Sequence, residues 1–428
     1  MSLGRLILAG LRQRPVMYGL NLLGLALGTA LVVALVLGAS QLRSAATAEA
    51  RGVDLVIGAS GSPLQLVLSS VYHADSPTGN IPASQWMRWR AHPLVEEAVP
   101  LAMGDFVSGY RLVGTAPSFA EFFHLSLVAG SWWDGEGAVV LGSSVARALG
   151  VGVGDAVVAS HGGEGPGAEV HDDHPLRVSG ILAPTGRVLD RLVLTDLRTY
   201  WHLHGTGRRH GEEGGHTHTH SHADSPAHTH TPAEYGPAEY GPADLEGQEV
   251  TGLLVRYATP LAAGRLAREV SAQPRLQAAS PAEEMARLLT VFRGVLWAAQ
   301  ALALLVLAVS ALGLLVAIHQ SLEQRRYEMA LLRVLGAGRV RVGLLLVGEA
   351  LLVGTGAALA GLLLGHLGVE AAARLGGGVA ALPLSGLTWT PATLWVLPLA
   401  WLLGMLAAAP AAWRVFRMEV ADVLARGV

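Results

Sequence analysis

The chain contains no cysteine and no lysine, since all 30 of its basic residues are arginine. Without cysteine it can form no disulfide, thiolate metal site or cysteine nucleophile. A Walker A loop needs a lysine to contact the β- and γ-phosphates of ATP, so any ATP hydrolysis must take place in another chain. The formal net charge of −3 argues against a nucleic-acid-binding protein. No nucleophile–base group or compact pair of carboxylates indicates an enzyme.

Charged residues are also scarce, at 15% of 428 residues, whereas apolar residues make up 51%. This balance is typical of a membrane protein. The apolar residues are concentrated in runs close to the roughly 20 residues that cross a bilayer as a helix; these runs are 16–40, 291–318, 342–367 and 391–413. A cleavable signal peptide is the competing interpretation of the first run, but a signal core has only about 7–15 apolar residues. The sequence therefore predicts four transmembrane helices.

Arginines between and around these runs predict their orientation. The segments 1–15, 319–341 and 414–428 carry eleven arginines between them. Because positively charged segments stay in the cytoplasm, both termini are predicted to be cytoplasmic. Residues 1–15 would then form an amphipathic helix on the membrane lipid. The same topology makes residues 41–290 a large extracytoplasmic domain and residues 368–390 an external hairpin.

Within the large external segment, short alternating stretches are separated by glycine and proline turns. Strands are predicted at 104–114 and 176–182, and a helix at 82–95 with its two tryptophans on one side. The stretch Ser143–Leu149 predicts a helix that Gly150 closes. Mixed strands and helices joined by short turns predict an α+β domain.

A histidine-rich insert occupies residues 202–244. It holds nine of the 17 histidines, which are His202, His204, His210, His216, His218, His220, His222, His228 and His230. Imidazoles at this density predict binding of Zn²⁺, or of Ni²⁺ or Cu²⁺, without a fixed geometry. The alternative is compositional drift in a surface loop. The repeat PAEYGPAEYGPAD that follows is typical of a stiff, disordered spacer. Among the other external histidines, His171 and His174 with Asp172 and Asp173 between them make a second, weaker candidate site, whereas His161 is given no role.

Two further features lie inside the apolar runs. Glu349 is the one acid within a membrane helix, and such residues are either functional or paired with a neighbouring helix; we expect structural packing near the segment 319–341. Small-residue spacing at Gly24 and Gly28, and again at Gly361 and Gly365, predicts close packing of helices.

The arginine-rich segment between the second and third runs contains the sequence RRYEMALLRVLGA. Taken alone, it predicts either a solvated loop or a short amphipathic helix with Leu322, Met329, Leu332, Val334 and Leu335 on its apolar edge. It resembles the cytoplasmic motif of FtsX/MacB-type ABC permeases. The matching residues are Arg325, Glu328, Ala330, Arg333, Leu335 and Gly336, with Arg326 next to the first. The resemblance implies a coupling helix that seats in a groove of an ATPase subunit.

The external segment carries the same resemblance. Its stretches VVLGSSVARALGVGVGDAVV, LRVSGIL and DRLVLTDLRTYWHL are similar to the periplasmic core domain of MacB-type permeases. The resemblance implies an inner-membrane permease that pairs with a second copy and with two ATP-binding subunits holding Mg-ATP. Its cargo would be a lipoprotein, lipid, peptide, drug or metal-linked factor, handled with or without a periplasmic adaptor. Combined with the histidine-rich insert, it suggests a zinc-linked system. An FtsX-like signalling protein and a membrane-anchored metal sensor are the alternatives.

Overall fold

The computed structural model describes residue 12 and residues 15–133, 137–161, 169–170, 175–204, 240–324, 326–335, 337–375 and 384–417. The chain divides into two compact units. We call Ala46–Leu288 the insert domain, and Met1–Ala45 with Leu289–Val428 the helix bundle. Nearly all of the predicted amphipathic segment 1–15 and most of the histidine-rich insert lie outside the described residues.

After the first helix, α1 (Pro15–Glu49), strands and short helices alternate through the insert domain. In chain order they are β1 Leu55–Ala59, α2 Pro63–Ser70, β2 Ile81–Pro82, α3 Ser84–Arg90, β3 Val95–Val107, β4 Tyr110–Thr115, α4 Ser118–Phe122, β5 Leu127–Gly130, β6 Ala138–Leu141, α5 Ser143–Leu149, β7 Ala156–Val157, β8 Ala159–His161, β9 Glu169–Val170, β10 Leu176–Leu182, β11 Val193–Asp196, α6 Leu197–Leu203, β12 Glu249–Val250, β13 Gly252–Tyr257, α7 Ala262–Ser271 and β14 Leu276–Ala279. The α+β prediction is confirmed.

In the described residues, the strands build one 12-stranded sheet and a small ribbon of β2 with β12. The main path of the large sheet runs β14-β1-β13-β3-β4-β11-β6-β10-β5, with β7, β8 and β9 attached at the side. The pairs β4–β11 and β6–β10 are parallel. The other described pairs, such as β3–β13, are antiparallel, which makes this a mixed sheet.

Two local predictions need correction. The predicted helix 82–95 is shorter, since α3 ends at Arg90; His92 precedes a proline, and a residue before proline disfavours the helical conformation. The predicted strand 104–114 is a hairpin of β3 and β4. Ser108 and Gly109 turn the chain with φ of 47° and 78°, a conformation typical of two-residue hairpin turns.

Both faces of the sheet are covered by apolar side chains. Along β1, Leu55 and Ile57 belong to one buried cluster, whereas Val56 between them belongs to the other. This alternation follows the period of two of an extended strand. On the first face, Trp86 donates its indole N–H to the carbonyl of Ala98 at 2.8 Å. The insert domain therefore has a sheet with a core on each side.

The helix bundle continues with α8 (Pro281–Gln324), α9 (Arg326–Val334), α10 (Arg339–Leu375), α11 (Pro391–Leu394) and α12 (Val396–Arg417). Among the described residues, four helical segments are long and apolar enough to cross a membrane; they are Pro15–Glu49, Pro281–Gln324, Arg339–Leu375 and Pro391–Arg414.

The helices in the bundle are longer than the predicted spans 16–40, 291–318 and 342–367. Apolar runs mark only the part of a helix that can lie in lipid, while backbone hydrogen bonding continues through flanking polar turns. The helix α10 likewise continues past its predicted span to Leu375, so the first residues of the predicted hairpin 368–390 are helical.

Close approach between helices depends on glycine in the bundle. An ideal Cβ at Gly361 would lie 2.5 Å from the Cβ of Thr29, and one at Gly365 would lie 2.8 Å from the Cβ of Val33. A Cβ at Gly28 would lie 3.0 Å from a methyl group of Leu307. The predicted packing role of these glycines is confirmed, with α1 contacting both α10 and α8.

Candidate functional site

The first candidate site is the short helix α9, which links the long helices α8 and α10. Met329 and Ala330 anchor it, because both are buried, and Met329 packs in the same apolar cluster as Leu322. Val334 and Leu335, at the end of the predicted apolar edge, are exposed, Leu335 to 75%. Val334 is the last residue of the helix, and Leu335 directly follows it.

The predicted coupling residues are only partly described. Arg325 and Gly336 lie outside the described residues, and so do the side chains of Arg326 and Glu328. Arg333 is half-buried. Among the described side chains of α9, Tyr327 and Val334 are exposed. Leu335, which directly follows the helix, is exposed as well.

An arginine near the end of α12 holds the helix from which α9 continues. The guanidinium of Arg414 donates to Nε2 of His319 at 3.0 Å and lies 3.7 Å from the carboxylate of Glu323. Both partners belong to the last turns of α8. Arg414 therefore joins α12 to the end of α8.

The acid inside the membrane is Glu349, and it is fully buried. The hydroxyl of Tyr18 donates to its Oε2 at 3.1 Å. This contact joins α10 to α1 and supports the expectation that Glu349 has a packing role.

The second candidate site is a group of three side chains in the insert domain. Asp105 lies on β3, and His161 lies directly opposite it on the antiparallel neighbour β8. His204 follows the last residue of α6. Nδ1 of His161 lies 2.8 Å from Oδ1 of Asp105, and Nε2 of His204 lies 3.3 Å from Oδ2. We call these residues the Asp-His-His group.

Glycines bring α6 close enough to the sheet to complete this group. An ideal Cβ at Gly114 on β4 would lie 2.5 Å from the Cβ of Tyr200, and one at Gly104 would lie 3.0 Å from its hydroxyl. The Tyr200 ring in turn stacks on the His204 ring, with centroids 4.8 Å apart. The position of His204 therefore depends on the glycines Gly104 on β3 and Gly114 on β4, which leave room for Tyr200.

Asp105 is a fully buried carboxylate. Burial raises the pKa of Asp105, but hydrogen bonds and charge from His204 and then His161 outweigh that effect, so the pKa is lower than usual. The hydrogen bond to Asp105 raises the pKa of His204 despite partial burial. Burial, followed by the charge of Asp105, raises the pKa of Tyr200. The negative charge of the Asp105 carboxylate therefore interacts with both imidazoles.

Sequence reasoning found only part of this group. It named His204 among nine histidines, left His161 without a role and did not consider Asp105. The sequence feature that could have indicated Asp105 is that it is the single acid in the apolar second half of β3. His202 is exposed on the same helix as His204 but does not belong to the group. The predicted ligands His210, His216, His218, His220, His222, His228 and His230 lie outside the described residues.

Two known family models match the chain, one mainly in the insert domain and the other in the helix bundle. Residues 18–228 match the model of the MacB-like periplasmic core domain, and residues 301–420 match that of the FtsX-like permease C-terminal domain. The chain belongs to the FtsX/MacB-type ABC permeases. The permease is therefore a multi-pass membrane protein with a large extracytoplasmic domain, and its family implies an ATP-binding partner subunit.

Solved structures were also compared with the permease. The periplasmic region of MacB from Actinobacillus actinomycetemcomitans is 11% identical, with 56% of this chain and 94% of that chain covered and a TM-score of 0.33. The extracellular domain of the noncanonic ABC-type transporter YknZ from Gram-positive bacteria is 12% identical, with 53% and 99% covered and a TM-score of 0.30. No curated protein matches the chain.

Proposed function

We propose that this permease converts ATP hydrolysis by a separate ATP-binding subunit into motion of its extracytoplasmic domain. The observation that carries the proposal is α9, a short helix between two long membrane helices that is anchored by Met329 and Ala330 and is followed by the exposed Leu335. Tyr327 is also exposed on α9, and tyrosine is enriched among the residues that anchor protein–protein interfaces. We infer that the ATP-binding subunit provides a groove for α9 and contacts the segment 319–341.

The proposed mechanism is a rigid-body transmission. The described contacts of α9 run to the bundle through Met329, and α12 is tied to the end of α8 through Arg414. Closure of the ATP-binding subunits would push α9 and tilt the helices that carry the insert domain, a hinge or shear transition. The substrate would be moved outside the membrane and not through a central pore.

Several parts of the assembly follow from this mechanism. We propose two permease copies, as a homodimer or a related heterodimer, on two ATP-binding subunits with Mg-ATP. The complex would lie in the inner membrane with both permease termini in the cytoplasm, as the distribution of arginines favours. The cargo would be a lipoprotein, lipid, peptide, drug or metal-linked factor, with a periplasmic adaptor where the cargo leaves the cell.

We further propose that the histidine-rich insert links this cycle to zinc, with Ni²⁺ and Cu²⁺ as competing ions. Its nine histidines support the proposal because imidazole is a ligand that all three ions accept. Few ionisable residues lie within the membrane spans, which disfavours a path for a bare ion through the bundle. A metal-carrying lipoprotein or metallophore is therefore the metal-linked cargo that fits best.

The test is ATPase turnover of the permease reconstituted in lipid with its ATP-binding subunit. We expect the double variant Tyr327→Ala, Leu335→Asp to lower complex formation by about tenfold or more, because truncating a central anchor typically has an effect of this size. Turnover dependent on the permease should fall in parallel.

The matched control is Leu375→Asp. Leu375 is also an exposed leucine, 89% accessible, but it lies at the opposite end of α10 from α9. It should leave complex formation and turnover unchanged. Normal assembly of the α9 variant would contradict the proposal and favour a membrane-anchored metal sensor, whereas normal assembly with lost cargo movement would favour an FtsX-like signalling role.

A further inference from the structure

We propose that Asp105, His161 and His204 form a built binding site for a divalent transition-metal ion, with Zn²⁺ as its natural occupant. This site lies on the folded sheet, and His204 is its one ligand from the histidine-rich insert. The site does not rest on the proposed transport function, because metal binding can be measured without ATP or the partner subunit. One carboxylate and two imidazoles form a ligand set that Zn²⁺ uses in proteins.

The distances suit a tetrahedral ion. With metal–ligand bonds of about 2.0–2.1 Å, neighbouring ligand atoms of tetrahedral zinc lie about 3.3 Å apart. Nε2 of His204 and Oδ2 of Asp105 are separated by 3.3 Å. One ligand atom from each of the three residues can be chosen so that all lie within 4.8 Å of one another. His161 must therefore approach by roughly 1.5 Å, and its side chain is 54% exposed.

The second observation is the orientation of His204. Its Nδ1 lies 3.1 Å from the backbone carbonyl of Tyr200. A carbonyl can only accept, so Nδ1 carries the proton and Nε2 is the atom that faces Asp105. Histidines that ligate a metal commonly donate their other N–H to a backbone carbonyl in this way, which fixes the tautomer and the ring. The stacked ring of Tyr200 holds the same orientation.

Asp105 provides the third observation. Its Oδ2 is buried, and Nε2 of His204 lies 3.3 Å from it. A buried carboxylate oxygen is costly unless a charge or a metal compensates it. Oδ1 already contacts Nδ1 of His161 at 2.8 Å, and a bound ion would compensate Oδ2. Three protein ligands leave the fourth position to water, an arrangement that permits exchange.

The experiment measures zinc binding to the full-length permease in detergent micelles, by competition with a chromophoric chelator. To isolate the Asp-His-His group, the background carries asparagine in place of His210, His216, His218, His220, His222, His228 and His230. We expect one Zn²⁺ per chain in this background and no competition from Mg²⁺, which prefers oxygen ligands. Co²⁺ in the same site should give the visible absorption of a tetrahedral complex.

The variants His161→Ala and His204→Ala should each weaken zinc binding by at least about 100-fold, since even loss of an outer-shell partner weakens metal sites 10–100-fold. The control is His202→Ala, an exposed histidine on the same helix as His204, which should keep the affinity of the background. Thermal unfolding of each variant checks its fold, and the exposed ring of His161 makes its removal structurally mild. Absence of zinc binding in the background, or an equal loss in His202→Ala, would overturn the proposal.

Discussion

The hydroxyl of Tyr18 donates a hydrogen bond of 3.1 Å to the carboxylate of Glu349, and both side chains are buried although they lie 331 residues apart in the chain. Water is excluded at this position, so the contact is a specific tie between α1 and α10. Close packing of the same two helices at Gly361 and Gly365 extends that tie along their length. The first and third membrane helices therefore form a common unit.

The first prediction concerns this hydrogen bond. The variant Tyr18→Phe keeps the ring and removes the donor, and it should lower the free energy of unfolding by about 1 kcal/mol or more, since a typical intramolecular hydrogen bond contributes about this much. The thermal midpoint of the purified permease in detergent measures the effect. Tyr327→Phe, which alters an exposed tyrosine on α9, should leave the midpoint unchanged. A midpoint for Tyr18→Phe equal to that of this control would contradict the role assigned to the bond.

The second prediction concerns helix packing. In Gly361→Ala the new Cβ would meet Thr29 at 2.5 Å, and overpacking of this kind typically destabilises by about 1–3 kcal/mol. Gly368 lies on the same helix with no atom within 4 Å of its ideal Cβ. Gly368→Ala should therefore be neutral or slightly stabilising, because alanine favours helix by up to about 1 kcal/mol. Equal thermal midpoints for the two variants would show that α1 and α10 do not pack at Gly361.

The third prediction links packing to the proposed metal site. In Gly114→Ala the new methyl group would meet Tyr200 at 2.5 Å and push α6 away from the sheet. His204 would move away from Asp105, so zinc affinity should fall by about 10-fold or more although no ligand is removed. Gly264→Ala, where the ideal Cβ meets nothing within 4 Å, serves as the control in the same chelator competition. Unchanged affinity in Gly114→Ala would indicate that His204 is not a ligand.

The fourth prediction concerns alkaline pH. Burial, followed by the charge of Glu49, raises the pKa of Tyr72 from 10.0 to about 12, and its hydroxyl donates to the carbonyl of Ala46 at 2.8 Å. Between these two pKa values the unfolded chain loses the phenolic proton while the folded domain keeps it, so stability falls as pH rises. The thermal midpoint should decline more gently with pH in Tyr72→Phe than in the unaltered permease. Identical slopes would contradict the assignment.

Much of the fold could be predicted from local patterns. Ser143–Leu149 is a helix, and Gly150 follows it with φ of 67°, as the glycine after a helical pattern predicted. The strand Leu176–Leu182 has the predicted bounds. These predictions succeeded because periodicity and glycine position act through neighbouring residues. The turn at Ser108 was missed because alternation continues across it and only Gly109 interrupts the pattern.

The sequence by itself determined the membrane class of this permease, the approximate positions of its spans, the absence of a nucleotide-binding lysine and the importance of Glu349. Each of these depends on composition or on residues close together in the chain. Only the tertiary structure decided that Tyr18 meets Glu349, that Leu335 is exposed, and that Asp105, His161 and His204 converge. Strand register and the approach of α6 to the sheet bring those residues together, and neither is encoded within any single local stretch.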